Sequence, residues 1–198
     1  MMFPLPEKVV LENSQVRLEP LDPGSHAEDL FDAAAEEPGI TFHHMFFGPF
    51  SDLEGLKLWM EEVRTAERAV VYAVFSKRLR KYVGSCAIMN TDPAHGSSEI
   101  GSIWYSPSAR RTEINTNVSF LLLEYLFERL HYTRVVWKCD DLNTTSKSAA
   151  VRLGFAFEGV SRKHMLIKGR VRNTAWYAMI DEDWPGVKIR LLGQLRWR

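Results

Sequence analysis

The feature of this chain that most constrains its fold is a short helix pattern enclosed by two strand patterns. Residues 135–139 and 155–160 contain the β-branched and aromatic side chains that favour strands. Between them, Asn143 or Thr144 is suited to cap the start of a helix, and Gly154 supplies the left-handed residue that ends many helices. The segment therefore predicts a strand–helix–strand unit, with a site for a small anionic or polar ligand at the amino end of its helix.

The remaining periodicity predicts a mixed α/β fold. Apolar or alternating strand patterns occur at 16–21, 70–75, 82–89, 99–105, 163–167 and 174–180. Helices are predicted after the capping boxes Ser25-x-x-Glu28 and Ser51-x-x-Glu54, and over a long apolar stripe from Val118 that ends near His131. The predicted order is β, α, α, β, β, β, α, β, α, β, β, which indicates a central mixed sheet with helices on both faces.

Length, charge and cysteine content limit the class of protein. A chain of 198 residues fits a single domain, 1–198, in which 185–198 form a basic carboxyl-terminal tail. The 25 basic residues balance 25 acidic ones, which argues against a general nucleic-acid binder. Cys86 and Cys139 both fall in apolar strand patterns, as expected of buried free thiols in a reducing compartment. We find no membrane-spanning run and no secretory signal, so we expect a soluble, cytoplasmic protein without a membrane partner.

The helix segment and the strand after it also resemble a known family. Residues 143–146 (Asn-x-x-Ser), 150–155 (Ala-x-x-Leu-Gly-Phe) and 158–162 (Glu-Gly-x-x-Arg) resemble the carboxyl half of the GNAT acetyltransferases, in the ribosomal-protein N-acetyltransferase-like branch. A looser resemblance extends from Val16 to about Trp184. It implies that the two central parallel strands splay apart, that acetyl-coenzyme A enters the gap as co-substrate, and that a primary amine attacks it directly.

The loop before the long helix departs from the family pattern. Family members carry Gln/Arg-x-x-Gly-x-Gly/Ala there; Arg110 takes the first position, but Glu113 and Asn115 replace the glycines that let a phosphate approach the backbone. One interpretation keeps a coenzyme A site at this loop, its strand and the short helix: Ile103, Trp104, Tyr105, Arg110, Arg111, Thr112, Glu113, Ile114, Asn115, Thr116, Asn143 and Ser146. The other is a helix start capped by Thr112 or Ser108, in a GNAT-fold interaction module that has lost the cofactor and is not catalytic.

Two residues are candidates for the chemistry that the resemblance implies. Glu99 begins the strand that would hold the acetyl group, where a carboxylate is either a general base or a solvated strand-edge residue. Ser146 is placed either to protonate the leaving thiolate, directly or through water, or to cap its helix.

The acceptor side is predicted from an aromatic loop at 40–50. Phe42, His43, Trp59 and Trp104 are candidate substrate-binding residues, because aromatic rings attract a charged amine, although core packing is the alternative. No spacing of His, Cys or carboxylates suits a metal, so none is expected. The basic segment 162–172 is either a solvated hairpin or a positive surface for an acidic substrate, the cofactor 3′-phosphate or RNA, of which RNA is the least favoured. The acceptor is left open between a small-molecule amine and a protein amino terminus, and the aromatic loop and the tail are candidate homodimer surfaces.

Overall fold

The computed structural model describes residues 2–196, and within them eight strands and six α-helices form a mixed α/β fold, as predicted. The strands are β1 (Leu11–Glu12), β2 (Val16–Pro20), β3 (Val70–Ser76), β4 (Lys81–Asp92), β5 (Ser97–Tyr105), β6 (Arg134–Asp140), β7 (Ala156–Ile167) and β8 (Arg170–Ile180). The helices are α1 (Pro23–Ala35), α2 (Pro38–Thr41), α3 (Leu53–Arg64), α4 (Ile114–Glu124), α5 (Thr144–Leu153) and α6 (Trp184–Arg196). A π-helical segment, Tyr125–Arg129, continues α4 and brings it close to the predicted end.

The strands lie in one sheet in the order β1-β2-β3-β4-β5-β6-β8-β7. All neighbours pair antiparallel except β5 and β6, which are parallel. Their pairing runs only from Ser97 opposite Arg134 to Glu99 opposite Val136, although both strands continue beyond it. The two central strands therefore splay apart, which confirms the fold that the resemblance implied.

Helices cover both faces of this sheet. Against one face, α1 and α3 bury an apolar cluster that includes Leu30, Leu56 and Met60. Against the other, α4, α5 and α6 bury a larger cluster that includes Leu122 and Leu153. The larger cluster includes residues of both β5 and β6, such as Ile100 and Val135, and the other cluster includes Trp104 of β5.

Two helix starts differ from the prediction, since neither capping box forms. The Asp22 carboxylate accepts from the Ser25 amide and caps α1 at Pro23. Asp52 caps α3 in the same way, by accepting from the Gly55 amide. An aspartate carboxylate next to the helix is a stronger cap than the serine hydroxyl that was predicted to act. The short β1 and the single turn α2 were not predicted either.

The carboxyl-terminal segment is a packed helix. Trp184 is buried, with its ring 5.8 Å from that of Phe120 and 5.7 Å from that of Phe127, and Leu191 is fully buried. The last two residues of the predicted tail, 197 and 198, lie outside the described residues. Cys86 and Cys139 are free and buried, as predicted. From residue 2 to residue 196, no helix has both the length and the apolar character needed to cross a bilayer.

Candidate active site

A large cleft opens where β5 and β6 separate. Its volume is about 1360 Å³, which exceeds the roughly 300–1,000 Å³ of a usual small-molecule pocket. The walls come from both splayed strands, the starts of α4 and α5, the segment 39–46 and strand β8. The cleft therefore has room for a long cofactor and an acceptor side by side.

The β5 wall of the cleft is irregular. Its register with β4 shifts between Ser85 and Ala87, so that one extra residue of β5 is accommodated there, and Ser102 has a left-handed φ of 50°. A bulge of this kind turns backbone groups out of the ladder. Beyond Glu99 the side of β5 that faces β6 also has no strand partner. Backbone N–H groups of β5 are thus available to a ligand carbonyl in the gap, the arrangement that polarises an acyl group.

Helix α5 begins at the cleft with the predicted cap. The Asn143 side chain accepts from the Ser146 amide at 3.0 Å, and Gly154 ends the helix with φ of 103°. Ser146 does not cap; its hydroxyl accepts from the Trp137 indole N–H at 3.0 Å. Burial raises the pKa of the adjacent Cys139 thiol, and a hydrogen bond with Ser146 opposes that shift. The Ser146 hydroxyl therefore accepts from Trp137, and its single proton can be donated either to the Cys139 sulfur or into the cleft.

The glycine-free loop forms a helix start whose acidic residue contacts an arginine of a neighbouring hairpin. Helix α4 has no side-chain cap at Glu113; instead Thr112 accepts from the Ile114 amide at 3.3 Å and donates to a carbonyl in the preceding turn. The Glu113 carboxylate lies 3.9 Å from the Arg78 guanidinium, on the β3–β4 hairpin. With this charge directed at Arg78, the amino end of α4 keeps unpaired N–H groups for a phosphate.

Arginines approach this helix start from two directions. Arg110 donates to the Tyr105 carbonyl at 3.1 Å and to the Glu37 carboxylate at 2.8 Å, and it also bonds the Thr41 hydroxyl. Arg110 thus links the α2 segment to the loop, and its guanidinium donates hydrogen bonds to groups of the protein itself. Arg152 of α5 crosses to α4, where it donates to the Thr116 hydroxyl at 2.6 Å on the cleft wall. Arg152 places a cation at the expected phosphate position, which the sequence pattern did not indicate.

Glu99 lies on the cleft wall at the point where the strands separate. It is 7% exposed and accepts from the Asn90 amide at 2.7 Å. Lys138 of β6 forms an ion pair with it at 2.6 Å, and the Lys138 ammonium lies 4.8 Å from the Trp176 ring centroid. This placement excludes the solvated strand-edge alternative and provides an oriented carboxylate at the point where an acyl group would lie.

A histidine–aspartate pair stands on the cleft wall at the end of β6. Asp140, at the end of β6, is 1% exposed, and its Oδ2 lies 3.0 Å from Nδ1 of His44. Burial works to raise the Asp140 pKa, but His44, Arg170 and the Leu142 amide outweigh it and lower the pKa to about 2. Asp140 is therefore ionised at neutral pH and holds the Nδ1 proton of His44, which leaves the other ring nitrogen for the cleft.

The aromatic loop divides into a buried part and a cleft-facing part. Phe42 and Trp59 are buried in the cluster under α1 and α3, away from the cleft wall, so their packing corresponds to the core alternative. His43 and Phe46 line the cleft. Trp104 also reaches the cleft wall, although it is only 3% exposed.

The basic hairpin is folded against this loop. The Lys168 ammonium donates to the Phe42 carbonyl at 2.9 Å and to the Phe47 carbonyl at 3.0 Å. Arg170 pairs with Asp140, and Arg172 is buried on the cleft wall. The basic segment is therefore divided: Arg172 is buried, whereas Arg162, Lys163 and His164 are exposed, as the solvated-hairpin interpretation predicts.

Almost all residues predicted for the cofactor line this cleft. Ile114 is the exception, since it is buried in the core beneath α4. Asp140, Lys138, Arg152 and Arg172 were not among the predicted site residues. Over residues 2–196, no group of three or more His, Cys, Asp or Glu side chains is placed to hold a metal ion.

A mixed sheet split between two parallel strands, with two helix starts at the gap, is the architecture of the GNAT acetyltransferases. The chain belongs to this family: the family model for the acetyltransferase (GNAT) domain matches residues 15–156.

Solved structures and a curated relative agree with that assignment. A GCN5-related N-acetyltransferase from Brucella melitensis is 37% identical, with 97% of this chain and 87% of that one covered and a TM-score of 0.94. A GNAT-family protein from Chromobacterium violaceum is 33% identical, with 93% and 92% covered and a TM-score of 0.88. A Bacillus subtilis protein named as a ribosomal N-acetyltransferase, YdaF, is 28% identical over 105 residues. That alignment covers 53% of this chain and 57% of YdaF, so it spans little more than half of the relative.

Proposed function

We propose that this chain transfers an acetyl group from acetyl-coenzyme A to a primary amine by direct attack. The observation that carries the proposal is the splay of β5 from β6, which gives a cleft of about 1360 Å³ inside a GNAT fold. The co-substrate supplies a thioester carbonyl that an amine can attack.

The donor end is assigned to the two helix starts. The unpaired N–H groups at the beginning of α4 and the Arg152 guanidinium would hold the pyrophosphate, where the positive end of the helix dipole adds to the arginine charge. The irregular β5 backbone from Ile103 to Tyr105 would bind the pantetheine and the acetyl carbonyl. The two side chains that replace the family glycines have partners within the protein: Glu113 lies 3.9 Å from Arg78, and Asn115 accepts from the Tyr105 hydroxyl at 3.3 Å.

Proton transfers are assigned to two side chains on opposite walls. Glu99 would attract the incoming ammonium and accept its proton, directly or through water. Ser146, which already accepts from Trp137, would donate towards the departing sulfur. The acceptor enters between the 43–46 segment and strand β8. The YdaF relative, named as a ribosomal N-acetyltransferase, makes a protein amino terminus one candidate acceptor, beside small-molecule amines.

A thermal-shift titration with acetyl-coenzyme A tests the proposal. Saturation at about 100 times the dissociation constant stabilises the folded state by about 2.7 kcal/mol, which raises the melting temperature by about 5–10 °C in a chain of this size. Transfer is then followed by thiol release with a panel of primary amines. Absence of any shift at millimolar cofactor would instead identify a GNAT-fold interaction module.

A double variant and a control test whether the two arginines of the loop before α4 contribute to coenzyme A binding. Arg110→Ala with Arg111→Ala should weaken coenzyme A binding several-fold, because Arg110 anchors the α2 segment over the loop. Arg162→Ala removes an exposed guanidinium of the same charge and serves as the control. Equal calorimetric affinity in the double variant and the control would remove Arg110 and Arg111 from the site.

A further inference from the structure

Arg172 is a buried cation on the cleft wall that forms no ion pair with any of residues 2–196. It is 4% exposed, and its Nε finds no hydrogen-bond partner. No carboxylate of a described residue approaches it within the 4.0 Å of an ion pair. Burial lowers the Arg172 pKa, and the Asp140 and Glu99 carboxylates act on it only through space. Burying a guanidinium without a partner is unfavourable, so the site is incomplete without a ligand.

The neighbouring cations are all occupied, which sets Arg172 apart. Lys138 is paired with Glu99 at 2.6 Å, and Arg170 is paired with Asp140. Lys168 donates to two backbone carbonyls of the aromatic loop. Lys138, Arg170 and Lys168 thus each have a partner within the protein, whereas the Arg172 guanidinium is available to a ligand.

The side chain is held in an orientation suited to a planar anion. The Arg172 guanidinium carbon lies 4.8 Å from the centre of the Phe46 ring, so the ring covers one side of the group. An arginine stacked in this way keeps its in-plane N–H donors for a second partner, and a carboxylate matches that fork with two parallel hydrogen bonds. Phe46 and Arg172 both line the acceptor end of the cleft.

We infer that Arg172 binds an anionic group of the acceptor, and that the preferred acceptor is an amine that also carries a carboxylate. This inference rests on the proposed acetyl transfer and names its substrate class. The amine would lie towards Glu99 and the carboxylate would lie on Arg172, so that one acceptor neutralises both walls of the cleft.

The test compares acceptors that differ only in the anion. Amino acids and their amides offer the same amine, and their kcat/KM values are measured at saturating acetyl-coenzyme A. We expect wild type to prefer the acid by about tenfold or more, the usual effect of one charge-assisted pair. Arg172→Gln should abolish that preference, so that kcat/KM for the acid and for the amide become equal. Equal kcat/KM for acid and amide in wild type overturns the inference and leaves the proposed function intact.

Further variants and ligands distinguish the source of the anion. Arg172→Lys keeps the charge and should retain part of the preference. Arg162→Gln changes an exposed arginine on strand β7 of the same hairpin and should retain all of it. A phosphate-bearing amine tests whether phosphate replaces carboxylate. Calorimetry with coenzyme A and 3′-dephospho-coenzyme A should show the same discrimination in wild type and Arg172→Gln. Loss of that discrimination in the variant would assign Arg172 to the cofactor and overturn the inference.

Stability measurements test whether Arg172 binds a carboxylate even if no acetyl transfer is found. Arg172→Met removes an unpaired buried charge and should raise the melting temperature of the ligand-free protein. Amino acids, but not their amides, should raise the melting temperature of wild type and not of Arg172→Gln. A lowered melting temperature in Arg172→Met together with no acid-specific shift in wild type would make Arg172 a structural residue.

Discussion

Replacing Asp140 by asparagine tests how the acceptor end of the cleft is held together. Asp140 is 1% exposed, and its carboxylate joins three elements through His44 of the aromatic loop, Arg170 of β8 and the Leu142 amide. Asparagine keeps the volume and one oxygen but removes the charge that the Arg170 guanidinium and the His44 ring face. We therefore expect the substitution to loosen the loop and the hairpin together.

The pKa of Asp140 sets the size of the effect and its dependence on pH. The pKa falls from an ordinary 3.8 to about 2 in the folded protein, and at about 1.36 kcal/mol per unit the charge contributes about 2.4 kcal/mol to the free energy of unfolding. Because the folded-state pKa is the lower one, this contribution is complete well above pH 3.8 and is lost as the pH falls through 2. About half of it, roughly 1.3 kcal/mol, remains at pH 3.

Urea unfolding of wild type and Asp140→Asn at pH 7 and pH 3 measures this contribution. We expect a difference of about 2–3 kcal/mol at pH 7, equivalent to about 5–10 °C in melting temperature, and roughly half of that at pH 3. Asp141→Asn is the matched control, since its ion pair with Lys147 is partly exposed and should change stability by less than about 1 kcal/mol. The same difference at both pH values would refute the assignment of the effect to the Asp140 charge.

Three further substitutions test the catalytic groups and the β5 wall. Glu99→Gln should lower kcat about 100-fold or more by removing the base, whereas Lys138→Met, which breaks the same ion pair, should lower it far less; equal losses in steady-state assays would make Glu99 structural. Ser146→Ala should lower kcat about tenfold or more with coenzyme A affinity unchanged by calorimetry; unchanged kcat would exclude it as the proton donor. Gly84→Ala would place a Cβ 2.0 Å from the Trp104 carbonyl and should cost about 3 kcal/mol in urea unfolding, while Gly193→Ala, with no neighbour within 4 Å, should not destabilise the protein.

The parts of the site that local sequence could predict are those built by adjacent residues. The cap at Asn143, the left-handed Gly154 and the strand that carries Glu99 all depend on short-range geometry, and each lies where the pattern placed it. The capping boxes failed for a local reason as well, because Asp22 and Asp52 cap the two helices from neighbouring positions, by accepting from the Ser25 and Gly55 amides.

The parts that sequence could not predict are contacts between distant segments. His44 meets Asp140 across 96 positions of the chain, and no spacing rule connects them. Strand β8 carries alternating basic residues, which is also the pattern of a solvated strand, and only packing of the hairpin against the aromatic loop buries Arg172. The environment of Glu113 likewise depends on Arg78 of another hairpin, which lies 3.9 Å from its carboxylate.

The central claim is that the gap between β5 and β6 is a coenzyme A site despite its glycine-free loop. Calorimetric titration of the wild-type chain with coenzyme A measures this directly. The account predicts one site per chain, with saturation in the micromolar range and affinity that falls when Arg152, which donates to Thr116 at the start of α4, is replaced by glutamine. No heat of binding at millimolar coenzyme A, from a chain that unfolds cooperatively in the same buffer, would contradict it.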